Sequence, residues 1–154
     1  LSQNNCNVHV LQGDSNDICT QIPHVDLAYL DPPYNQHPYG SNYFMLNLIN
    51  DYIEPTDISK VSGIPIGWNK SNYNKKAKAL ESMHDLCQHI NATYILISYN
   101  SDGFITFDEM VSMLEKLGNV RAFDQEYNVF RGCRNLRDRD IHVKEYLFLL
   151  TKEN

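Results

Sequence analysis

The feature that most constrains this chain is a short apolar run that stops at two consecutive prolines. Residues 25–30 are mostly apolar, and Asp31-Pro32-Pro33-Tyr34 follows them directly. Because a proline nitrogen carries no hydrogen and cannot continue a β-ladder, the pattern predicts a buried strand that ends at Leu30. The 31–34 turn is then presented at the carboxyl end of that strand.

Strand-like and helix-like segments alternate along the chain. The predicted strands are residues 7–12, 25–30, 94–98, 119–130 and 144–150. The predicted helices are residues 42–53, residues 77–90, and a third that Thr106 or Asp108 caps and Gly118 stops. This alternation predicts an open α/β sheet, with an antiparallel hairpin of the last two strands at one edge. Ligands of such sheets bind beyond the carboxyl ends of the strands, so we expect residues 13–15, 31–34 and 98–100 to share one rim.

Length and composition exclude several classes of protein. A chain of 154 residues can build one core but not two ordinary domains. No stretch approaches the roughly 18 apolar residues of a membrane helix, which predicts a protein without a membrane partner. The cysteines are scattered and form no Cys-x-x-Cys pair, so we expect reduced thiols, a cytoplasmic location and no metal site. They are Cys6, Cys19, Cys87 and Cys133.

Charge is distributed unevenly along the chain. The net charge is -6, yet residues 1–59 contain no Lys or Arg. Lysines gather in residues 60–78 around Trp68, and arginines gather in residues 131–139. Local fields matter more than the sum, so a phosphate-bearing partner stays possible. A solvated loop explains the lysines equally well, and pairing with nearby aspartates is an alternative for the arginines.

The 31–34 turn has the residue types needed to activate an exocyclic amine of a nucleobase. The lone pair of such an amine is delocalised into the ring, which makes the nitrogen a poor nucleophile. Two acceptors, the Asp31 carboxylate and the Pro32 carbonyl, could draw the amine hydrogens and free the lone pair. The Tyr34 ring could stack on a base that has left the duplex. The alternative is a plain Pro-Pro turn with a capping aspartate.

The 31–34 turn resembles the catalytic motif of S-adenosylmethionine-dependent amino methyltransferases, and its surroundings resemble the D12 class of DNA adenine-N6 methyltransferases. The supporting stretches are residues 11–15, 94–100, 127–128, 134–135 and 145–150. The resemblance implies a Rossmann-like methyltransferase sheet and S-adenosyl-L-methionine as the methyl donor. It implies the catalytic residues Asp31, Pro32, Pro33 and Tyr34, and the donor-binding residues Asp14, Ser15 and Asp31. Secondary candidates for DNA contact are Tyr39, Lys70, Arg131 and Arg134.

Parts of the family pattern are missing from this sequence. The family binds the donor's methionine end with a Phe-x-Gly-x-Gly loop, which does not occur here. A target-recognition region and two strands of the sheet are also missing by that comparison. We therefore expect residues 1–154 to form one partial catalytic domain that lacks its first strands. A missing amino-terminal segment or a companion polypeptide would complete it, and the isolated chain should be a poor enzyme.

The predicted function is site-specific methylation of adenine N6 in double-stranded DNA with a flipped adenine, as in a restriction-modification system. One alternative is methylation of RNA or of a protein amide. Another is a non-catalytic module for nucleic-acid binding or assembly.

Overall fold

The computed structural model describes residues 6–61, 63, 65–66, 70–128 and 142–152, without the side chains of residues 127 and 128. The strands are β1 (Val25–Leu30), β2 (Ala92–Asn100), β3 (Gly118–Asn128) and β4 (His142–Lys152). The helices are α1 (Ser15–Ile18), α2 (Tyr39–Asn42), α3 (Phe44–Asp51), α4 (Lys76–His89) and α5 (Phe107–Leu114). Two short 3-10 helices span Cys19–Gln21 and Asn72–Asn74.

The strands form one mixed sheet in the order β1-β2-β4-β3. β1 runs parallel to β2, with Leu30 opposite Ile97. β4 runs antiparallel to both of its neighbours, so β3 and β4 form the expected hairpin at one side of the sheet. The predicted mixed α/β architecture is therefore confirmed at this level.

One face of the sheet packs against α4 and α5. Ile95, Ile97 and Phe148 point from the strands into this core and are fully buried. Met83 of α4 and Leu114 of α5 meet them from the helical layer. Burial of side chains of this size contributes about 1.5–3 kcal/mol each, so this interface is the main source of stability.

The opposite face of the sheet is uncovered within the described residues. Leu27 and Tyr29 of β1 are 53% and 58% exposed, and Phe123 of β3 is 48% exposed. Strand register places these side chains on the same face as Leu96 and Leu149. Apolar side chains therefore extend from one edge of this face to the other, which is unusual for a sheet at a water boundary.

The predicted strand at residues 7–12 is wrong. These residues belong to no strand, and Val8 and Val10 are 74% and 88% exposed. Alternation of apolar and polar residues gives a strand only where a neighbouring strand supplies hydrogen-bond partners. Within the described residues β1 pairs with β2 alone, and residues 7–12 add no further strand at its free edge.

The remaining element predictions agree with the structure, with shifted boundaries. The helix expected at residues 42–53 is divided into α2 and α3. It ends at Asp51, and Tyr52, which follows as the C-cap, has a φ of 54° in the left-handed region. The helix expected at residues 77–90 is α4. Thr106 caps α5 through a capping box with Glu109, as one of the two predicted caps.

Candidate active site

A cavity of about 880 Å³ opens beyond the carboxyl end of β1. Its size is within the range of small-molecule sites. Seven of the predicted site residues line it, namely Asp14, Ser15, Asp31, Pro32, Pro33, Tyr39 and Lys70. Tyr34 follows this set in the chain but is not part of the lining. Arg131 and Arg134 lie outside the described residues, as does Trp68.

The two predicted acceptors of an amine are open to a ligand. Asp31 is exposed, and Pro32 is partly exposed at the cavity wall. Among the residues that the structure describes, none donates a hydrogen bond to the Asp31 carboxylate or to the Pro32 carbonyl. Both oxygens can therefore accept hydrogens from a bound amine.

The main chain on either side of Pro32 is tied to other elements. The Tyr39 hydroxyl of α2 donates to the Asp31 carbonyl at 2.8 Å. The Phe104 backbone N–H, between β2 and α5, donates to the Tyr34 carbonyl at 2.8 Å. The 31–34 turn is therefore held from both of its ends.

Asn74 holds the residue that follows this turn. Its Nδ2 donates to the Asn35 carbonyl at 2.8 Å, and its Oδ1 accepts from the Ser71 hydroxyl at 3.3 Å. The Asn74 side chain is buried, which fixes this arrangement. The sequence offered no signal for this residue, because an asparagine in a polar loop has no characteristic spacing.

Tyr34 is positioned by a second tyrosine from β2. Its ring lies edge-on to that of Tyr99, with centroids 6.3 Å apart and an interplanar angle of 72°. Partial burial raises the pKa of the Tyr34 phenol, and the carboxylates of Glu145 and Asp102 add to the effect. The ring is 37% exposed, so a neutral aromatic surface remains accessible.

Tyr39 has two contacts that fix its side chain. Besides its bond to Asp31, its ring packs at a tilt on that of Tyr43, with centroids 5.9 Å apart. Burial and the Asp31 charge raise the pKa of the Tyr39 phenol to about 12. The hydroxyl therefore remains a donor at any physiological pH.

The Asp14 loop is anchored to α4 through the side chain of Asn16. Asp14 caps α1 by accepting from the Asn16 backbone N–H at 3.0 Å. The Asn16 amide donates to Asp85 at 2.7 Å and accepts from the Tyr73 hydroxyl at 2.8 Å. Burial raises the pKa of Tyr73, which keeps it neutral and able to donate. Asn16 was not predicted as a site residue, and no local pattern indicates it.

The third polar cluster, residues 98–100, does not line the cavity. Ser98 and Asn100 both donate to the Glu145 carboxylate at 3.1 Å. The expectation of a shared rim is therefore right for residues 13–15 and 31–33, whereas residues 98–100 are not among the residues that line the cavity, and Tyr99 contacts Tyr34.

Gly103 has no room for a side chain. A Cβ at this position would collide with the Tyr99 ring and would lie 2.9 Å from the Asn100 carbonyl oxygen. The turn from Ser101 to Phe104 thus packs directly on the ring that supports Tyr34.

Lysines 70 and 78 of the predicted cationic segment have different surroundings. Lys70 is exposed at the mouth of the cavity. Lys78 forms a surface ion pair with Glu81 at 2.8 Å. Only the first of these two ammonium groups is positioned to meet a ligand at the site.

The described ranges contain neither a cluster of metal-binding side chains nor a helix that could span a membrane. No group of three or more His, Cys, Asp or Glu side chains there could hold a metal ion. No helix there has both the length and the apolar composition needed to cross a bilayer.

Comparison with known proteins identifies a matching family. Residues 2–113 match the model of the D12 class N6 adenine-specific DNA methyltransferases. The chain is 33% identical over 126 residues to the type II methyltransferase M.CviAII of Paramecium bursaria Chlorella virus 1, covering 81% of this chain and 37% of that protein. It is 37% identical over 147 residues to the modification methylase StsI of Streptococcus sanguinis, covering 91% and 21%. It is 31% identical over 145 residues to the type II methyltransferase M.NlaIII of Neisseria lactamica, covering 93% and 42%. The chain thus spans about a fifth to two fifths of the length of these relatives.

Proposed function

Because the chain belongs to the D12 class of N6 adenine-specific DNA methyltransferases, we propose that it carries the catalytic turn of an enzyme that methylates N6 of adenine in duplex DNA. The methyl donor is S-adenosylmethionine, and the biological setting is the modification half of a restriction-modification system in the cytoplasm. The observation that carries the proposal is a pair of acceptors that line one cavity, the Asp31 carboxylate and the Pro32 carbonyl, neither of which receives a hydrogen bond from a described residue.

The chemistry that we assign to these residues rests on the hydrogen bonds that their oxygens can accept. Asp31 and Pro32 each accept one hydrogen of the adenine amine, which draws the nitrogen toward a tetrahedral shape and localises its lone pair. Tyr34 stacks on the extruded base and holds it in place. The bound donor supplies a methyl group on a positively charged sulfur. The nitrogen forms the new bond to carbon, the sulfur keeps the electron pair of the broken bond, and the surplus amine proton passes to Asp31 and then to water.

S-adenosylmethionine fits the polar residues of the cavity at its nucleoside end. Asp14 uses Oδ1 for its capping bond, and no described residue donates to its Oδ2. That oxygen can accept from the donor's adenine or ribose, and the Ser15 backbone N–H lies beside it in the chain. Asp31 carries a negative charge on the same cavity wall, which complements a sulfonium.

The uncovered face of the sheet and the free edge of β1 are the surfaces on which we place the rest of the catalytic domain. Leu27 and Tyr29 expose apolar side chains there, and β1 pairs on one side only within the described residues. An apolar edge of this kind favours the addition of further strands. These strands and the glycine-containing donor loop would come from an amino-terminal segment or a companion chain, which completes a Rossmann-like sheet.

The test of the proposed function is an Asp31→Asn substitution. The variant keeps the size of the side chain but loses the charge and one acceptor, so we expect methyl transfer to fall by at least about 100-fold. Transfer of a radiolabelled methyl group to duplex DNA, single-stranded RNA and a peptide amide would measure rate and substrate class together. Asp57→Asn, at an exposed position outside the cavity lining and outside the sheet, is the control.

Three results would overturn the proposal. Transfer to RNA or peptide in preference to duplex DNA would replace the substrate. Full activity of Asp31→Asn would show that the Asp31 carboxylate does not activate the adenine amine. DNA binding without transfer by either the chain or its completed form would indicate a non-catalytic module.

A further inference from the structure

We infer that Tyr39 and Asn74 are positioning residues that hold the main chain of the 31–34 turn, so that the Pro32 carbonyl faces the amine in one fixed direction. This inference rests on the proposed function, since it concerns the same turn. The three hydrogen bonds to the carbonyls of Asp31, Tyr34 and Asn35 are called the carbonyl clamp below.

The pattern of bonded and open carbonyls carries the inference. Tyr39 binds the Asp31 carbonyl, and the Phe104 N–H binds the Tyr34 carbonyl, each at 2.8 Å. Between them, the carbonyls of Pro32 and Pro33 accept no hydrogen bond from any described residue. The clamp thus fixes the peptide units around the reactive carbonyl and leaves that carbonyl unused.

The proline rings alone cannot supply this orientation. A proline fixes φ near -65°, but the direction of its own carbonyl depends on ψ, which the ring does not lock. Bonds to the carbonyls on both sides limit rotation of the intervening peptide units. Misplacement of a reacting group by about 1 Å can lower a rate by about 100-fold, so such restraint has a direct kinetic value.

Asn74 is suited to this role by its burial and by the chemistry of its partners. The Asn35 carbonyl can only accept, so the group that faces it at 2.8 Å must be the amide NH₂ of Asn74. The other end of the amide accepts from the Ser71 hydroxyl. Only 7% of Asn74 is exposed, so water competes little for these bonds.

Tyr39 can be tested because two roles for its side chain predict different results. If the ring stacks on DNA, phenylalanine should replace it fully. If the hydroxyl positions Asp31, then Tyr39→Phe should lower kcat by about tenfold while KM for DNA changes less than about twofold. Tyr52→Phe is the control, since Tyr52 is exposed, lies outside both the cavity lining and the sheet, and its hydroxyl makes no hydrogen bond within the described part of the chain.

Asn74→Ala gives a second measurement that needs no methyl transfer. Loss of its bond to Asn35 should loosen the turn and raise the hydrogen-exchange rate of the Phe104 amide by about tenfold or more. The Tyr52→Phe control should leave that rate unchanged. Thermal melting would verify that Tyr39→Phe and Asn74→Ala are both folded.

The outcomes separate the two claims. An unchanged kcat in Tyr39→Phe, or an unchanged Phe104 exchange rate in Asn74→Ala, would overturn the positioning role. Absence of transfer by the parent protein in its completed form would overturn the proposed function, whereas the exchange experiment would still decide whether Asn74 restrains the turn.

Discussion

The Phe104 backbone N–H donates to the carbonyl oxygen of Tyr34 over 2.8 Å. This bond joins the turn after β1 to the loop between β2 and α5, which are distant in the chain. The Tyr99 hydroxyl approaches the same carbonyl at 3.4 Å and accepts from the Ile105 N–H at 3.2 Å. The geometry of the 31–34 turn therefore depends on a loop that contributes no residue to the cavity.

Tyr34 should contribute to binding through its ring and not through its hydroxyl. Tyr34→Ala should weaken binding of the flipped base by about 1–3 kcal/mol, because a stacking surface is lost. Tyr34→Phe should bind within about twofold of the parent. Fluorescence of 2-aminopurine at the target position would report both effects, and equal loss in the two variants would contradict a stacking role.

Lys70 should contribute a single phosphate contact. Lys70→Ala should weaken binding of all duplexes alike and lower the slope of log K against log salt by about one. Titration of duplex DNA at several salt concentrations would measure the slope. Lys116→Ala, an exposed lysine after α5 and outside the cavity, is the control. An unchanged slope in Lys70→Ala would show that Lys70 does not contact a DNA phosphate.

Thr106 should stabilise α5 through its cap. Its hydroxyl accepts from the Glu109 N–H at 3.3 Å, and the Glu109 carboxylate accepts from the Thr106 N–H at 2.8 Å. Thr106→Ala should lower the free energy of unfolding by about 1 kcal/mol, as for other cap deletions. Urea denaturation would measure this, with the exposed Thr56→Ala as control. Equal stability of the two variants would show that the cap contributes nothing.

Cys87 should make stability depend on alkaline pH. It is fully buried, and burial raises the pKa of its thiol from 9.0 to about 12. The neutral thiol contributes fully to the free energy of unfolding below pH 9.0, the pKa of an exposed thiol. As pH rises from there toward the folded-state pKa, this contribution is lost by at most about 1.4 kcal/mol per pH unit. The melting temperature should therefore fall more steeply between pH 8 and pH 11 for the parent than for Cys87→Ala. If the melting temperatures of the two proteins fell in parallel with pH, the buried Cys87 thiol would not be the cause of the pH dependence.

The sequence predicted those parts of the fold that depend on local chemistry. The prolines after Leu30 fixed the end of β1, and Thr106 with Glu109 fixed the start of α5. The prediction of a strand at residues 7–12 was wrong because an alternating pattern does not indicate whether a partner strand is present. The uncovered sheet face could not be predicted either, because Leu27 and Tyr29 are residue types that usually occupy buried strand positions, yet both are exposed.

The candidate site was predictable where its residues form a contiguous motif. The 31–34 turn and Asp14 were identified in this way, and Asp14, Asp31, Pro32 and Pro33 line one cavity. Asn16, Asn74 and Tyr99 act through contacts between residues far apart in the chain. No spacing in the sequence encodes such contacts, so they emerge only once the elements are packed.

The missing side chain of Gly103 restricts which sequences this fold tolerates. Even a methyl group there would meet the Tyr99 ring, and moving that ring would disturb both the Tyr34 carbonyl and the Ile105 amide. A library of all amino acids at position 103 should therefore retain only glycine, although the residue lies in an ordinary surface turn outside the cavity.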